Sequence, residues 1–248
     1  MYVAGITDVG VVREQNQDMI FYKNGWVGPL PNLFVVADGM GGHNAGDVAS
    51  SRAVEAFCQY IEGYSIAQLV QPTDYLDLLV TAAQKANADV YNASSTNPAL
   101  HGMGTTFTAC VIEGGRAFTV HVGDSRLYKI DSDKITQLTR DHTFVEAMIQ
   151  AGQLTEEEAK NHPKRHMLTQ VLGTKPTVEM DGHVFELAGV ESLLLCSDGL
   201  SNMIDDEGLK AIIKRDGIVD HRTMTLLDEA NARGGTDNIS VILIDIGR

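Results

Sequence analysis

The chain has 248 residues, 44% of them hydrophobic and 21% charged, with a formal charge of −14 and three cysteines. That length is ample for a sizeable core, and no run approaches the roughly 18 apolar residues of a membrane span. The acidity argues against a nucleic-acid partner, because nucleic-acid phosphates are bound chiefly through clustered Lys and Arg; the odd cysteine count without C-x-x-C spacing argues against disulfides and zinc.

The opening MYVAGITDVG lacks a basic region followed by an apolar stretch, so no secretory signal is expected and a cytoplasmic protein is. Strand-like segments fall at 2–8, 18–23 and 32–37, the last ending on Asp38-Gly39. Helical periodicity follows over 45–62, with apolar positions at Val48, Ala49, Ala53, Phe57 and Ile61, and again over 73–93. Strands at 105–113 and 116–122 flank Gly114-Gly115, a hairpin signal, and 126–131 and 134–138 follow. Helices fit 143–151 and 155–161, the second opened by a Thr155/Glu158 capping box. Strands at 178–187 and 191–196, helices at 205–215 and 220–232, and a strand at 239–246 complete the chain. Short turns between strands imply antiparallel neighbours, and grouped helices imply an α+β layered domain. No linker, repeat or low-complexity tract divides residues 1–248, so a single domain is expected.

Four aspartates, Asp38, Asp124, Asp198 and Asp237, stand where apolar runs end or begin: LFVVAD, FTVHVGD, SLLLCSD and D-NISVILI. If those runs share one core, the acids emerge together at its rim. Crowded carboxylates raise one another's pKa unless a cation offsets them, and a hard, oxygen-seeking divalent ion is the simplest remedy. Asp-Gly at 38–39 and 198–199 also reads as a plain turn. Gly39 lets backbone approach an ion closely and offer its carbonyl.

Cys58, Cys110 and Cys196 read as small core residues. Cys110 to Arg116, C-VIEGG-R, has the Cys-x5-Arg spacing of thiol phosphatases, yet Glu113 within it would repel a phosphate.

RxxNQD from Arg13, VVADGMGGHNAGDVAS from Val35, GMGTT from Gly102, VHVGDSRLY from Val120, LTRDHT from Leu138, LCSDGLSNMI from Leu195 and GGTDNISV from Gly234 together resemble the metal-dependent Ser/Thr protein phosphatases of type 2C, the PPM family, in its bacterial form. The resemblance runs from about residue 2 to 246. It implies two antiparallel sheets packed face to face with helices on both outer sides, and two Mn²⁺ or Mg²⁺ ions in a cleft. By motif, Asp38 bridges the ions, the Gly39 carbonyl joins one, Asp198 and Asp237 hold the other, and Asp124 with Asp198 takes a third. Two such ions can activate a shared water as hydroxide for direct attack on phosphorus, with no covalent intermediate. Arg13 matches the phosphate-holding arginine, and its guanidinium fork suits that task. Asp18 matches an acid that positions metal waters. Gln17 stands where many relatives carry Glu.

Met40 fills the place where eukaryotic relatives carry His, so a metal-bound water or His43 is left to protonate the leaving alkoxide, with His43 near the substrate. His121, in a strand, is expected to be structural, and Asp141-His142 to organise the next segment. Residues 143–172 occupy the family's variable flap, and Lys160, Lys164, Arg165 and His166 there are either a solvated surface or a phosphopeptide contact. The expected function is a Ser/Thr protein phosphatase acting on phosphorylated proteins and opposing Ser/Thr kinases. The alternatives are a silent phosphoprotein-binding module of the same fold and a Cys110 thiol phosphatase.

Overall fold

The structure, a computed structural model, describes residues 1–41, 45–69 and 74–247. One sheet runs β1 (Tyr2–Asp8), β11 (Ile239–Asp245), β10 (Ser192–Cys196), β7 (Arg126–Ile130), β8 (Ile135–Gln137). The other runs β2 (Asp18–Lys23), β3 (Leu33–Met40), β5 (Phe107–Glu113), β6 (Arg116–Val122), β9 (Asp181–Glu186), with the short β4 (Gly104–Thr105) added against the end of β3. Among the described residues every strand pairing is antiparallel.

The period-2 geometry of a strand explains why the central strands read as unbroken apolar runs. In β3, Leu33, Val35 and Ala37 face the helices α1 (Ala45–Glu62) and α2 (Asp74–Thr96), while Phe34 and Val36 face the other sheet. In β11, Val241 and Leu243 face α5 (Asp198–Ser201), α6 (Asp206–Ile213) and α7 (Val219–Ala232), while Ile242 and Ile244 point inward to meet Phe34 and Val36. Both sheets are thus covered on both faces, giving the expected layering of helices, sheet, sheet, helices. Ala49, Ala53, Phe57 and Ile61 recur every fourth residue along α1 and are all buried, and the Phe57 ring meets that of Phe107 in a tilted contact, with centroids 4.8 Å apart. Burying one such ring contributes about 2–3 kcal/mol.

The sequence reading needs three corrections. Strand β3 does not stop at residue 37, because Gly39 pairs with Thr105 and Met40 with Gly104, so Asp38-Gly39 lies within a strand. Asp198-Gly199 is not a turn either: it opens α5, with Asn202 N–H returning to the Asp198 carbonyl at 2.7 Å. The strand expected over 105–113 is broken at Thr106, whose N–H goes to the Asp38 carbonyl. Boundaries elsewhere move by at most three residues: β9 begins at Asp181 rather than 178, and α2 runs to Thr96 rather than 93. The capping box at Thr155/Glu158 is present, opening α4 (Glu156–Lys160), which follows α3 (Phe144–Gln150) in the flap.

Candidate metal centre

Asp18 and Asp38 are direct register partners across β2 and β3. The backbone around Asp38 is held on both sides: its N–H donates to Thr106 Oγ1 at 2.8 Å, and its carbonyl accepts from Thr106 N at 2.8 Å and Thr105 Oγ1 at 2.9 Å. Thr106 Oγ1 also lies 2.7 Å from Ser125 Oγ, tying the end of β3 to the turn that carries Asp124. Gly39 is required by close approach, since a Cβ there would stand 2.0 Å from the Gly46 carbonyl oxygen and 2.5 Å from that of Gln17.

The other half of the site comes from the second sheet. Asp198 caps the end of β10, where Asn202 Nδ2 donates to its Oδ2 at 3.0 Å. Asp237 precedes β11, and Arg13 Nη2 donates to its Oδ2 at 2.7 Å. Asn238 fixes this corner: its Oδ1 accepts from Gln17 N at 2.8 Å, and its Nδ2 donates to the carbonyls of Val9 and Gln15, both at 2.9 Å. Asn238 lies within the GGTDNISV motif, but the sequence assigns it no role, because its partners lie more than 220 residues away.

Arg13, Asp38, Gly39, Asp124, Asp198 and Asp237 line one cleft of about 490 Å³, with Asp18 buried behind Asp38. The acids feel one another. Asp38 is held well above the ordinary carboxylate range by burial and then by Asp18, Asp198, Asp124 and Asp237. Burial raises Asp124 to about 8, with Asp198 and Asp141 adding to it and Arg126 opposing. Burial raises Asp18 to about 7 against the hydrogen bonds from Ser240 and Ser197. Asp198 is raised by burial and by Asp237, and lowered by His166 and Asn202.

Among the described residues no three His, Cys, Asp or Glu side chains are drawn close enough to hold an ion as a tight cluster. The carboxylates share the lining of the cleft, and Mg²⁺-like ions keep several waters and take only one or two carboxylates each. Among the described residues, two buried oxygens, Asp18 Oδ1 and Asp198 Oδ1, have no hydrogen-bond partner. Orphaned carboxylate oxygens among like charges and an all-oxygen donor set fit hard divalent cations.

His43, assigned to substrate by sequence, lies outside the described residues. His121 is buried and structural: Thr108 Oγ1 lies 2.9 Å from its Nδ1, the Arg140 carbonyl 3.0 Å from its Nε2, and burial lowers it to about 4. Within the basic cluster, Lys164 sits 5.1 Å over the Phe144 ring, while Lys160, paired with Glu157 at 2.9 Å, joins Arg165 and His166 in lining a second cavity of about 490 Å³ that also reaches Asp124 and Asp198, and His166 lines the aspartate cleft as well. Arg126, two residues after Asp124, forks onto Asp141 with contacts of 2.7 to 3.1 Å and donates to Tyr128 Oη at 3.0 Å. Sequence reasoning gave Arg126 no role either. Cys110 is fully buried between the sheets and its thiol is pushed up to about 12, so it has no access to a phosphate.

The sequence profile of the protein phosphatase 2C family matches residues 12–223. The chain is 35% identical over 248 residues to protein phosphatase PhpP of Streptococcus pneumoniae, covering 99% of this chain and 98% of that one. It is 34% identical over 242 residues to the serine/threonine phosphatase stp of Listeria innocua, covering 96% and 93%. Among solved structures, serine/threonine phosphatase Stp1 of Staphylococcus aureus superposes with a TM-score of 0.91 at 31% identity, over 99% of this chain and 95% of that one. The serine/threonine phosphatase PstP/Ppp of Mycobacterium tuberculosis superposes with a TM-score of 0.87 at 34% identity, over 100% and 99%.

Proposed function

The chain belongs to the protein phosphatase 2C family and is a serine/threonine protein phosphatase, and from that premise we propose that it is a Mn²⁺- or Mg²⁺-dependent enzyme whose chemistry centres on the aspartate cleft. The observation that carries this reading is the convergence of Asp38, Asp124, Asp198 and Asp237 on one cavity, where Asp124, Asp198 and Asp237 all raise the proton affinity of Asp38.

Asp38, the Gly39 carbonyl, Asp198 and Asp237 would hold the two core ions, and Asp124 with Asp198 a third. When bound, the ions supply Lewis-acid polarisation of the phosphoryl group and activation of water for in-line attack at phosphorus. Arg13, half exposed at the rim, binds the substrate phosphate through its fork and gives up Asp237 to do so. Asp18 keeps one oxygen on Ser240 at 2.7 Å and leaves Oδ1 free to orient water beside Asp38. Met40 cannot donate a proton, so the leaving alkoxide takes one from water or from His43.

Residues 1–248 act as a single catalytic domain with a flap at about 143–172, whose Arg165 and His166 face the approach to Asp198. The substrates are phosphoserine and phosphothreonine in proteins, with Ser/Thr kinases opposing, in the cytoplasm; no helix among the described residues is long and apolar enough to cross a membrane.

The test is a metal-titrated assay on phosphothreonine peptides. Chelation should abolish turnover and added Mn²⁺ restore it, and Asp38→Asn should lower the rate about 10³-fold, some 4 kcal/mol in the barrier. Full activity after thorough chelation would overturn metal dependence. A tightly bound but unhydrolysed phosphopeptide in saturating Mn²⁺ would favour a silent binding module.

A further inference from the structure

The flap and the Asp124 turn meet at one residue. His142 spends both of its backbone groups on this junction: its N–H donates to the Gly123 carbonyl at 2.7 Å, and its carbonyl accepts from Thr169 N at 2.8 Å. Its ring does the same. Gly123 N–H donates to His142 Nδ1 at 3.2 Å, which leaves the ring proton on Nε2, and Nε2 reaches Asp181 Oδ2 on β9 at 3.2 Å. Both polar backbone groups of Gly123, the residue before Asp124, are therefore held by His142.

The turn has little slack. Gly123 sits at φ +108°, and a Cβ there would stand 2.6 Å from Thr106. The flap closes back on the same point, since Thr143 bridges Leu168 and Phe144 N–H donates to the Met167 carbonyl at 2.8 Å. Behind the His142 ring lies His121, with ring centres 4.9 Å apart, itself anchored to Thr108 and the Arg140 carbonyl. His142 thus joins the flap stem, β9 and the Asp124 turn, and it does not line the aspartate cleft itself.

We propose that His142 is a positioning residue that couples the seat of the flap to Asp124, so that the Gly123 N–H to Nδ1 bond sets where the Asp124 carboxylate stands. The inference rests on the reading of Asp124 as a metal acid. It predicts that Asp124's cation site, and not the Asp38 and Asp237 sites, depends on His142. Side-chain geometry separates the two functions of the ring: Asn at 142 keeps an acceptor at the Nδ1 position, whereas Gln loses it and keeps only reach toward Asp181.

The experiment titrates Mn²⁺ calorimetrically into chelator-stripped protein, with trypsin cleavage of the flap as a second readout. His142→Gln and His142→Ala should weaken the weakest Mn²⁺ site about tenfold and hasten flap cleavage, and His142→Asn should restore the affinity to within about twofold of the parent. In an Asp124→Asn background, where that site is already lost, His142→Gln should change the remaining affinities less than about twofold, because the two residues act through one path. Parent-like Mn²⁺ binding by His142→Gln, or equal weakening of every site in both backgrounds, overturns the coupling. If Asp124→Asn alone leaves Mn²⁺ binding unchanged, the metal role of Asp124 fails and the coupling with it.

Discussion

Asp18→Asn offers a direct measure of the strain in the aspartate cluster. Asp18 is buried, and its proton affinity is raised from the ordinary 3.8 to about 7, chiefly by burial. Folding therefore favours its neutral form: the contribution is fully present below about pH 3.8 and is lost as pH rises through about 7. At roughly 1.4 kcal/mol for each tenfold change in proton affinity, the full rise corresponds to about 4 kcal/mol at pH 8. Burial supplies most of that rise, with repulsion from Asp198 and Asp237 added, and because the Asn amide must itself be buried there, about 2 kcal/mol is the expected gain. Asn keeps an oxygen for Ser240 and turns the orphaned Oδ1 position into a donor toward Asp38. In chelator-stripped protein at pH 8, Asp18→Asn should therefore raise Tm by about 4–8 °C, and the advantage should shrink steadily toward pH 4. With saturating Mn²⁺ the same variant should lose at least about tenfold in turnover. An unchanged or lower Tm at pH 8, or a gain that does not vary with pH, would refute the reasoning.

Arg13→Ala should raise KM for a phosphothreonine peptide about tenfold or more, the loss of a charge-assisted phosphate contact, while leaving Tm within about 2 °C, because its pair with Asp237 is exposed. Steady-state kinetics alongside a thermal melt separates the two effects. Arg222→Leu strands the Asp245 carboxylate, which is buried with Arg222 and Ser192 as partners, and should cost about 3–5 kcal/mol in a urea melt; adding Asp245→Leu should recover most of the loss. Cys110→Ser should keep parent turnover in saturating Mn²⁺, since its thiol is pushed up to about 12 and sits between the sheets. A thousandfold loss with the fold intact would revive the thiol mechanism.

Much of the fold was legible because its signals are local. Val, Ile and Leu runs bounded by Gly and Asp mark buried strands, four-residue spacing marks α1, and Thr155/Glu158 marks the start of α4. What local patterning could not deliver was pairing over distance. Asp38-Gly39 carries a turn signal, yet it is strand because Thr105 and Gly104, more than 60 residues on, supply the partner backbone. The basic cluster of the flap is uniform along the chain but not in space: Lys164 lies over the Phe144 ring, Lys160 and Arg165 line the neighbouring cavity, and His166 reaches the aspartate cleft as well.

The sequence alone determined the family, through motifs in a set order, and named the candidates for its chemistry: carboxylates at the ends of apolar runs and a forked cation in RxxNQD. Only the tertiary structure decided how those groups stand. It set Asp18 opposite Asp38 and Arg13 on Asp237, made Asn238 and Arg126 supports, and gave Gly123 to His142. The physical reason is that residue type and spacing encode propensity and charge, whereas the proton affinity of a carboxylate and the partner of a backbone amide depend on neighbours brought in from elsewhere in the chain.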